Sequence, residues 1–254
     1  MIRVVFNQKG GVGKSTITCN LAAISADEGA QTLVIDLDPQ GNSSHYLLGD
    51  RDEHLDTTLV DFFSQMLNMR FKPKSPDEFA IATPFENLDL MAAHHDLTEL
   101  AGKLESRYKM LKLREAVKEL SEIYDAIYID TPPALNFYTR SALIAADSCL
   151  IPFDCDEFSK HALYALLENV AEIRADHNPE LQVEGIIVNQ FQPRANLPKR
   201  VVSGLVEEGL PVLDAFISAS VRIRESHEQA KPMIHYDPRH KLSLEFRDLY
   251  RTLN

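Results

Sequence analysis

The chain has 254 residues, 44% of them hydrophobic and 25% charged, a composition typical of a folded globular protein with one large core. Its net charge of −12 argues against general adhesion to nucleic acid. No apolar run reaches the roughly 18 residues that a membrane span needs. Three cysteines without CxxC spacing suit a reducing compartment better than a disulfide framework. We therefore expect one cytoplasmic domain over residues 1–254.

Short apolar runs rich in branched residues alternate with longer segments of helical period, the pattern of parallel strands joined by crossover helices. The predicted strands are Ile2–Phe6, Thr32–Asp36, Leu88–Met91, Ala126–Asp130, Ser148–Pro152, Val183–Asn189 and Val212–Ile217. The predicted helices are Lys14–Glu28, Leu97–Ser106, Lys109–Ile123, Phe158–Asp176, Leu197–Glu208, Val221–Gln229 and Leu242–Leu253. Residues 50–86 fit the alternation least well and predict a short helix around Leu59–Asn68 and then a surface loop. The expected fold class is α/β, a doubly wound, mostly parallel sheet flanked by helices.

A glycine-rich segment follows the first predicted strand and opens a helix. Its residues are Lys9, Gly10, Gly11, Val12, Gly13, Lys14, Ser15 and Thr16. Glycines let consecutive backbone N–H groups turn toward a phosphate, and the helix N-terminus adds partial positive charge. Lys14 supplies a cation for the β- and γ-phosphates, and Ser15 is placed to bind Mg²⁺. The position between a strand and a helix makes this a strong prediction of a nucleotide phosphate site.

Lys9 is a second cation in this segment, and an ordinary phosphate loop does not need it. One interpretation is an exposed lysine that happens to lie near a phosphate site. The other is that the fold cannot easily aim Lys9 at its own γ-phosphate, so that Lys9 reaches into a partner subunit's site, as an arginine finger in trans does. The residues alone leave both interpretations open.

Two carboxylate segments follow other predicted strands. Asp36 and Asp38 belong to the segment DLDPQGN at the end of the second strand, beside the expected phosphates. Asp130 belongs to IYIDTPP at the end of the fourth strand, where open α/β sheets bind ligands. Carboxylates there can hold metal-bound water and the attacking water. The alternative for each Asp is a helix cap or a turn residue, but all three motifs in this order favour a nucleotide site.

The segment from Lys9 to Ser15 has the pattern KGGxGK[ST], and with the two carboxylate segments it resembles the deviant Walker A family of ParA/MinD ATPases. Residues 221–227, VRIRESH, resemble the family's VRxxEA-type helix start. The resemblance covers most of the chain and is strongest to the short ParA-like ATPases of DNA and cargo partition. It implies a P-loop NTPase fold, ATP and Mg²⁺ as cofactors, and slow, Mg-dependent ATP hydrolysis.

The same resemblance implies roles for the charged and hydroxyl residues of the motifs. Lys14 and Ser15 bind phosphate and metal. Asp38 orients water near the metal, and Asp130 supports Mg²⁺. Lys9 acts across a dimer. The implied catalytic residues are therefore Lys9, Lys14 and Asp38, and the implied metal site consists of Ser15, Asp38 and Asp130.

The resemblance also implies where the base of the nucleotide binds. Asn189, at the end of a predicted strand, resembles the adenine-contacting asparagine of the family. Many relatives have a Pro-Arg pair after the seventh strand. This chain has Ser218-Ala219 there, so its base contacts depart from the family pattern.

The partners implied by the resemblance are a second copy of the chain, nonspecific duplex DNA and a ParB-like or cargo-adaptor protein that stimulates hydrolysis. No membrane partner is expected, and the expected location is the cytoplasm, on the nucleoid. Residues 190–254 hold 10 Lys/Arg and 8 Asp/Glu, a balance of +2, whereas residues 1–189 hold 16 and 30, a balance of −14. The candidate DNA contacts in this quarter are Arg222 and Arg224, with Lys199 and Arg200 as weaker candidates, and the alternative for them is surface ion pairing.

Other functions fit the residues less well. A MinD-like membrane-cycling ATPase needs a basic amphipathic C-terminal helix, but the acidic residues of 242–251 offset the arginines there. An ATP-dependent metabolic synthetase of the same superfamily needs a substrate-activating pocket or an amidotransferase domain, and the chain shows no recognisable nucleophile motif. An iron–sulfur site at Cys149 and Cys155, or a zinc site that adds His161, fits the usual ligand spacing poorly.

Overall fold

The computed structural model describes residues 1–68, 72–155, 157–192 and 194–254. In these residues the strands are β1 (Ile2–Val5), β2 (Thr32–Asp36), β3 (Ile81–Ala82), β4 (Leu88–Met91), β5 (Ala126–Asp130), β6 (Ser148–Asp154) and β7 (Gln182–Asn189). The helices are α1 (Lys14–Asp27), α2 (Asn42–Leu48), α3 (Leu59–Leu67), α4 (Leu97–Ser106), α5 (Lys112–Leu120), α6 (Phe137–Ala145), α7 (Glu157–Asp176), α8 (Asn196–Glu207), α9 (Arg222–Glu228), α10 (Met233–Tyr236) and α11 (Lys241–Thr252).

The described strands form one sheet in the order β3-β4-β2-β5-β1-β6-β7. All neighbouring strands are parallel except β3 and β4. In this register Asp130 lies opposite Asp36 on one side and Val5 on the other. The three central strands therefore end at the same level, and the loops that follow them meet at one edge. The predicted fold class is confirmed.

Both faces of the sheet are covered by helices, so the central strands are mostly apolar and nearly all of their residues are buried. Along β2, Leu33 and Ile35 pack into one hydrophobic core, while Val34 packs into the core on the opposite face. One core includes residues of α3 to α7, and the other includes residues of α1, α2 and α11. The helix α1 is buried along most of its length, because it lies between the sheet and α11. None of the helices in the described ranges is long and apolar enough to cross a membrane.

In the part of the chain that the structure describes, most of the predicted elements are present, and three α-helices, two short 3₁₀ helices (Gly49–His54 and Pro76–Phe79) and one strand are added. Six of the seven predicted strands are confirmed, and every predicted helix is found, although α5 begins and ends inside its predicted range. The helices α2, α6 and α10 and the two-residue strand β3 were not predicted. The residues around Leu59–Leu67 do form a helix, and the part of the predicted loop at 69–71 lies outside the described residues.

The prediction of a strand over Val212–Ile217 is wrong. This segment follows the edge of β7, but it forms only isolated bridges, Ile186 to Val212 and Phe191 to Ser218. The N–H of Leu213 bonds to the carbonyl of Ile186, and the next N–H of the segment to bond to β7 is that of Ile217, which reaches the carbonyl of Val188. Between these two bonds β7 advances by two residues, from Ile186 to Val188, whereas the segment advances by four, from Leu213 to Ile217. The extra residues break the regular ladder, as in a bulge.

The side chain of Arg3, near the N-terminus, forms hydrogen bonds with residues at the C-terminus. Its guanidinium, which is almost fully buried, forms a 2.9 Å ion pair with Glu184 of β7 and donates a 2.6 Å hydrogen bond to the carbonyl of Leu253. Its other terminal nitrogen, Nη1, donates to the side-chain oxygen of Asn254 at 3.3 Å. Because Arg3 lies on β1, this cluster joins β1, β7 and the C-terminal residues that follow α11.

We expect Arg3→Ala to lower the free energy of unfolding by about 2–3 kcal/mol, because it leaves the partly buried Glu184 without its cation. The measurement is urea denaturation followed by circular dichroism. Arg251→Ala is the matched control. Arg251 pairs with Asp248 at the surface, where both side chains are more than 60% exposed, and its loss should cost less than about 1 kcal/mol. Equal losses in the two variants would contradict the role given to Arg3.

Candidate nucleotide-binding site

The glycine loop between β1 and α1 has the geometry of a phosphate cradle. Gly11 and Gly13 have φ angles of 75° and 91°, in the region that only glycine adopts easily. The helix α1 begins where the N–H of Ile17 bonds to the carbonyl of Gly13 at 2.9 Å. A side chain on Gly13 would lie only 2.2 Å from the amide nitrogen of Asn189. Any other residue at position 13 would therefore be strained at this φ angle and would displace the side chain of Asn189.

Two side chains that follow β7 hold this loop in place. The side-chain amide of Asn189, which is buried, donates a 2.8 Å hydrogen bond to the carbonyl of Val12. The side-chain amide of Gln190 donates to the carbonyl of Gly11 at 3.0 Å. Asn189 therefore lies at the loop, where its amide nitrogen bonds to the loop backbone, and its implied contact with adenine stays a prediction. Gln190 was not among the predicted site residues.

Lys14 is a buried cation inside the loop. Its side chain lies with its ammonium 3.4 Å from the carbonyl of Lys9, and only 7% of the residue is exposed. Burial lowers the pKa of Lys14, while the nearby carboxylates of Asp130 and Asp38 act in the opposite direction. A phosphate group at this loop would supply further negative charge to the ammonium.

Two carboxylates, Asp38 and Asp130, lie near Lys14, and a third, Asp36, lies near these two. Asp38 is nearly buried and accepts a 3.0 Å hydrogen bond from the N–H of Gln40. Asp130 is fully buried, and burial raises its pKa to about 6, although hydrogen bonds from Ser15 and Ser43 lower it.

Asp36 has a structural role that differs from the roles of the other two carboxylates. It accepts hydrogen bonds of 2.8 Å from both the N–H and the hydroxyl of Ser44, and so it fixes the first turn of α2. Burial and the neighbouring Asp130 raise the pKa of Asp36 well above its usual value. The two carboxylates left for a ligand are therefore Asp38 and Asp130.

These groups fit Mg²⁺ and a nucleoside triphosphate. A hydroxyl and carboxylate oxygens are the donors that Mg²⁺ binds, and here Ser15 bonds to Asp130, a carboxyl whose pKa is raised by burial. The glycine loop, the N-terminus of α1 and the ammonium of Lys14 together favour an anion. The predicted phosphate and metal residues thus lie at one edge of the sheet.

Lys9 points away from the loop that contains it. Its ammonium forms a 2.7 Å ion pair with Asp154, at the end of β6, and both side chains are partly exposed. Its own N–H bonds to the side chain of Asn7 at 2.9 Å. The backbone of Lys9 therefore faces Lys14, whereas its charged end lies toward β6.

A cleft of about 440 Å³ opens beside the loop. Its walls combine the loop with a second set of residues from the C-terminal part of the chain: Asn189, Gln190, Ile217, Ser218, Ala219, Ser220, Val221, Ile223, Arg224, Leu242 and Phe246. An apolar wall next to a phosphate site suits the base and sugar of a nucleotide. Of these residues the sequence indicated Asn189 and the Ser218-Ala219 departure for the base contacts, and Arg224 as a candidate DNA contact. Most of the others contribute ordinary apolar or small side chains, which no local pattern marks as part of a site.

The four candidate DNA contacts lie on two helices. Arg222 and Arg224 are exposed on α9, and Lys199 and Arg200 are exposed on α8. Arg222 forms a 2.8 Å ion pair with Glu225, the alternative considered for it from the sequence. Arg224 also lines the cleft, so α9 adjoins the nucleotide site.

The glycine loop, the buried lysine and the paired carboxylates at the ends of parallel strands define a P-loop ATPase. A family model described as an AAA domain matches residues 1–183. The chromosome partitioning protein ParA of Myxococcus xanthus is 35% identical over 241 residues, which cover 93% of this chain and 82% of that protein. The chain belongs to the ParA family of ATPases.

Solved structures share the fold of this chain. Cobyrinic acid a,c-diamide synthase from Mycobacterium smegmatis, with bound ADP and magnesium, superposes with a TM-score of 0.78 at 26% identity, covering 92% of this chain and 90% of that one. An ATP complex of McdA from Cyanothece shares the fold with a TM-score of 0.86 at 23% identity, covering 99% and 95%. ATP and Mg²⁺ are the cofactors of this ATPase.

We expect Gly13→Ala to weaken ATP binding more than about tenfold, because an alanine is strained at this φ angle and its methyl group displaces Asn189 from the loop. Titration with a fluorescent ATP analogue measures the affinity. Gly102→Ala on α4 is the control, since its methyl group meets nothing within 4 Å. Affinities that agree between Gly13→Ala and the parent would show that the loop geometry is not needed.

Proposed function

We propose that this protein is a partition or positioning ATPase that ATP switches from a monomer to a homodimer. The dimer binds duplex DNA nonspecifically through the C-terminal quarter of each chain. A ParB-like or cargo-adaptor protein stimulates slow hydrolysis and so releases the dimer from the nucleoid. The observation that carries this proposal is Lys9, a cation of the family motif that is directed away from its own phosphate loop.

The direction of Lys9 supports a role across a dimer interface. Lys9 pairs with Asp154 at 2.7 Å, while Lys14 occupies the space inside the loop. Because Lys9 is partly exposed at the edge where the nucleotide binds, a second subunit facing this edge could receive its ammonium. A cation supplied in trans stabilises the charge that develops on the phosphates during transfer.

Hydrolysis itself is assigned to the groups around Lys14. Lys14 binds the β- and γ-phosphates, and Ser15 and Asp130 hold the metal. Mg²⁺, when bound, neutralises charge on the phosphate oxygens. Asp38 orients the attacking water, a role supported by its burial next to Lys14 and by the bond that fixes its carboxylate to the N–H of Gln40.

The DNA contacts are assigned to α9 first and to α8 second. Arg222 is paired with Glu225, but an exposed pair of this kind is weak because water screens it, so a DNA phosphate can replace the carboxylate. Arg224 extends the basic surface, and Lys199 and Arg200 lie on α8. A dimer doubles this surface, which turns a weak contact into one that depends on ATP.

The position of α11 favours DNA over a membrane as the matrix. A membrane-cycling ATPase would use an amphipathic C-terminal helix for anchoring. Here the apolar residues Leu242, Phe246 and Leu249 of α11 are buried in the same core as α1. Exposing them would remove part of the core that supports the phosphate loop.

We expect Lys9→Ala to leave ATP affinity unchanged and to weaken ATP-dependent dimerisation, because the ammonium completes the partner's site. Light scattering with ATP and Mg²⁺ measures the mass. Lys14→Ala is the contrasting variant and should lose nucleotide binding altogether. A Lys9→Ala protein that dimerises as tightly as the parent would remove the role across the dimer.

We expect Arg222→Glu with Arg224→Glu to abolish DNA binding while ATP-driven dimerisation persists. Binding by the parent should weaken with salt, with a log–log slope of about −0.9 for each phosphate contact. Gel shifts on unrelated duplexes with a non-hydrolysable ATP analogue measure both effects. Arg114→Glu with Lys118→Glu on α5 makes the same change in charge elsewhere and should bind DNA as the parent does. Equal DNA affinity in the two double variants would exclude α9 as the DNA-binding helix. If the parent binds no DNA at low salt, duplex DNA is excluded as the partner.

A further inference from the structure

His227, near the end of α9, lies against the phosphate loop. Its Nε2 atom is 3.1 Å from the hydroxyl oxygen of Thr16, the last residue of the glycine-rich segment. The two residues are 211 positions apart in sequence. Thr16 lines the cleft next to Gly11 and Gly13, so this contact connects α9 directly to the place where the phosphates bind.

The imidazole is held by a buried set of polar groups. The ring of Tyr46, from α2, stacks on it with 4.1 Å between ring centres. The hydroxyl of Tyr46 lies 2.7 Å from the hydroxyl of Ser226, which donates to the carbonyl of Ile223 at 3.0 Å. Tyr46 is therefore the donor to Ser226. The neighbouring residue of α9 is thus fixed, and His227 has little freedom to turn.

Asn20, on α1, forms hydrogen bonds with this set of polar groups and with the start of α10. Its side-chain nitrogen donates to the carbonyl of Thr16 at 2.8 Å and to the hydroxyl of Tyr46 at 3.3 Å. Its side-chain oxygen accepts a 2.7 Å bond from the N–H of Met233, at the start of α10. The groups around His227 therefore join α1, α2, α9 and α10, and any displacement of α9 must disturb the contact with Thr16.

The position of the hydrogen on the His227 ring determines whether the hydroxyl of Thr16 can donate a hydrogen bond to a group in the cleft. Burial lowers the pKa of His227, and His45 lowers it further, so the ring is neutral at pH 7 and carries one N–H. If that hydrogen is on Nε2, His227 donates to Thr16, and the hydroxyl hydrogen of Thr16 stays available to an acceptor in the cleft. If Nε2 has no hydrogen, Thr16 must donate to the ring instead, and no hydroxyl hydrogen is left for a phosphate.

We infer that His227 is a positioning residue of the nucleotide site. Its Nε2–H donates to the hydroxyl oxygen of Thr16, which directs the hydroxyl hydrogen toward a phosphate oxygen and ties the helix that carries Arg222 and Arg224 to the occupied loop. The part that concerns nucleotide affinity stands on the contact with Thr16 alone. The part that concerns DNA rests on the proposed DNA-binding role of α9.

Two amide variants test this inference. His227→Gln places an amide nitrogen where Nε2 lies, whereas His227→Asn places it one bond short and cannot reach Thr16. We expect His227→Asn to weaken ATP binding roughly three- to tenfold, the usual effect of one hydrogen bond, and His227→Gln to restore most of the affinity. Titration with a fluorescent ATP analogue gives the affinities. His161→Asn, on the exposed side of α7, is the control and should bind ATP as the parent does.

Testing the His227 variants in a protein that lacks the Thr16 hydroxyl distinguishes positioning of that hydroxyl from a merely structural role of His227. In Thr16→Val protein, changing His227 to Asn should have no further effect on ATP affinity, since the group that it positions is gone. Equal losses in His227→Gln and His227→Asn, or the same loss with and without the Thr16 hydroxyl, would overturn the inference. Should His227→Asn not fold, His227→Phe retains the stacking on Tyr46, lacks a nitrogen and carries the same expectations.

DNA affinity is measured on the same variants. We expect His227→Asn to reduce the gain in DNA affinity that ATP brings, even at ATP concentrations that saturate the variant, while His227→Gln keeps most of it. An unchanged gain in His227→Asn would overturn the link to α9 and leave the effect on nucleotide affinity intact. If the parent binds no DNA, the DNA proposal fails, and the nucleotide titrations still decide the role of His227.

Discussion

The shared level at which β1, β2 and β5 end is the constraint on which the site depends. Their parallel register puts Asp130 opposite both Asp36 and Val5, so the phosphate loop and the two carboxylate segments leave the sheet at one edge. This crowds Lys14 and carboxylates into a buried space, where burial lowers the pKa of the lysine and raises that of Asp130 to about 6. Nucleotide phosphates and Mg²⁺ supply the opposite charges that these groups lack.

The sheet could be predicted from the sequence because its strands are buried on both faces and show as short apolar runs. The helix α6 could not be predicted in the same way. All but one of its residues from Phe137 to Ala145 are buried, so it has no polar face to produce a helical period. The segment Val212–Ile217 has the composition of a strand, and its failure to form one depends on two extra residues along the edge of β7, which no local pattern indicates.

Among the site residues too, some could be predicted from the sequence and others could not. Residues such as Lys14 and Asp38 could be predicted because each lies in a contiguous segment whose glycines or carboxylates have a direct chemical reason to be there. Gln190 and His227 could not, since each acts on a residue of the loop that is more than 170 positions away in sequence. The exposed charge of Lys9 was noted from the sequence, but only the structure gives its direction, toward Asp154 at the end of β6.

The central claim is that each nucleotide site is completed by Lys9 of the other subunit, and mixed dimers test it most directly. Lys9→Ala lacks the cation that it would donate, and Asp38→Ala lacks the group that orients water, so each protein alone should hydrolyse ATP very slowly. Mixed before ATP is added, at protein concentrations high enough for Lys9→Ala also to dimerise fully, they should regain about a quarter of the parental rate, because about half of the dimers are then mixed and each of these contains one complete site. A mixture no more active than the two proteins measured separately would contradict the account.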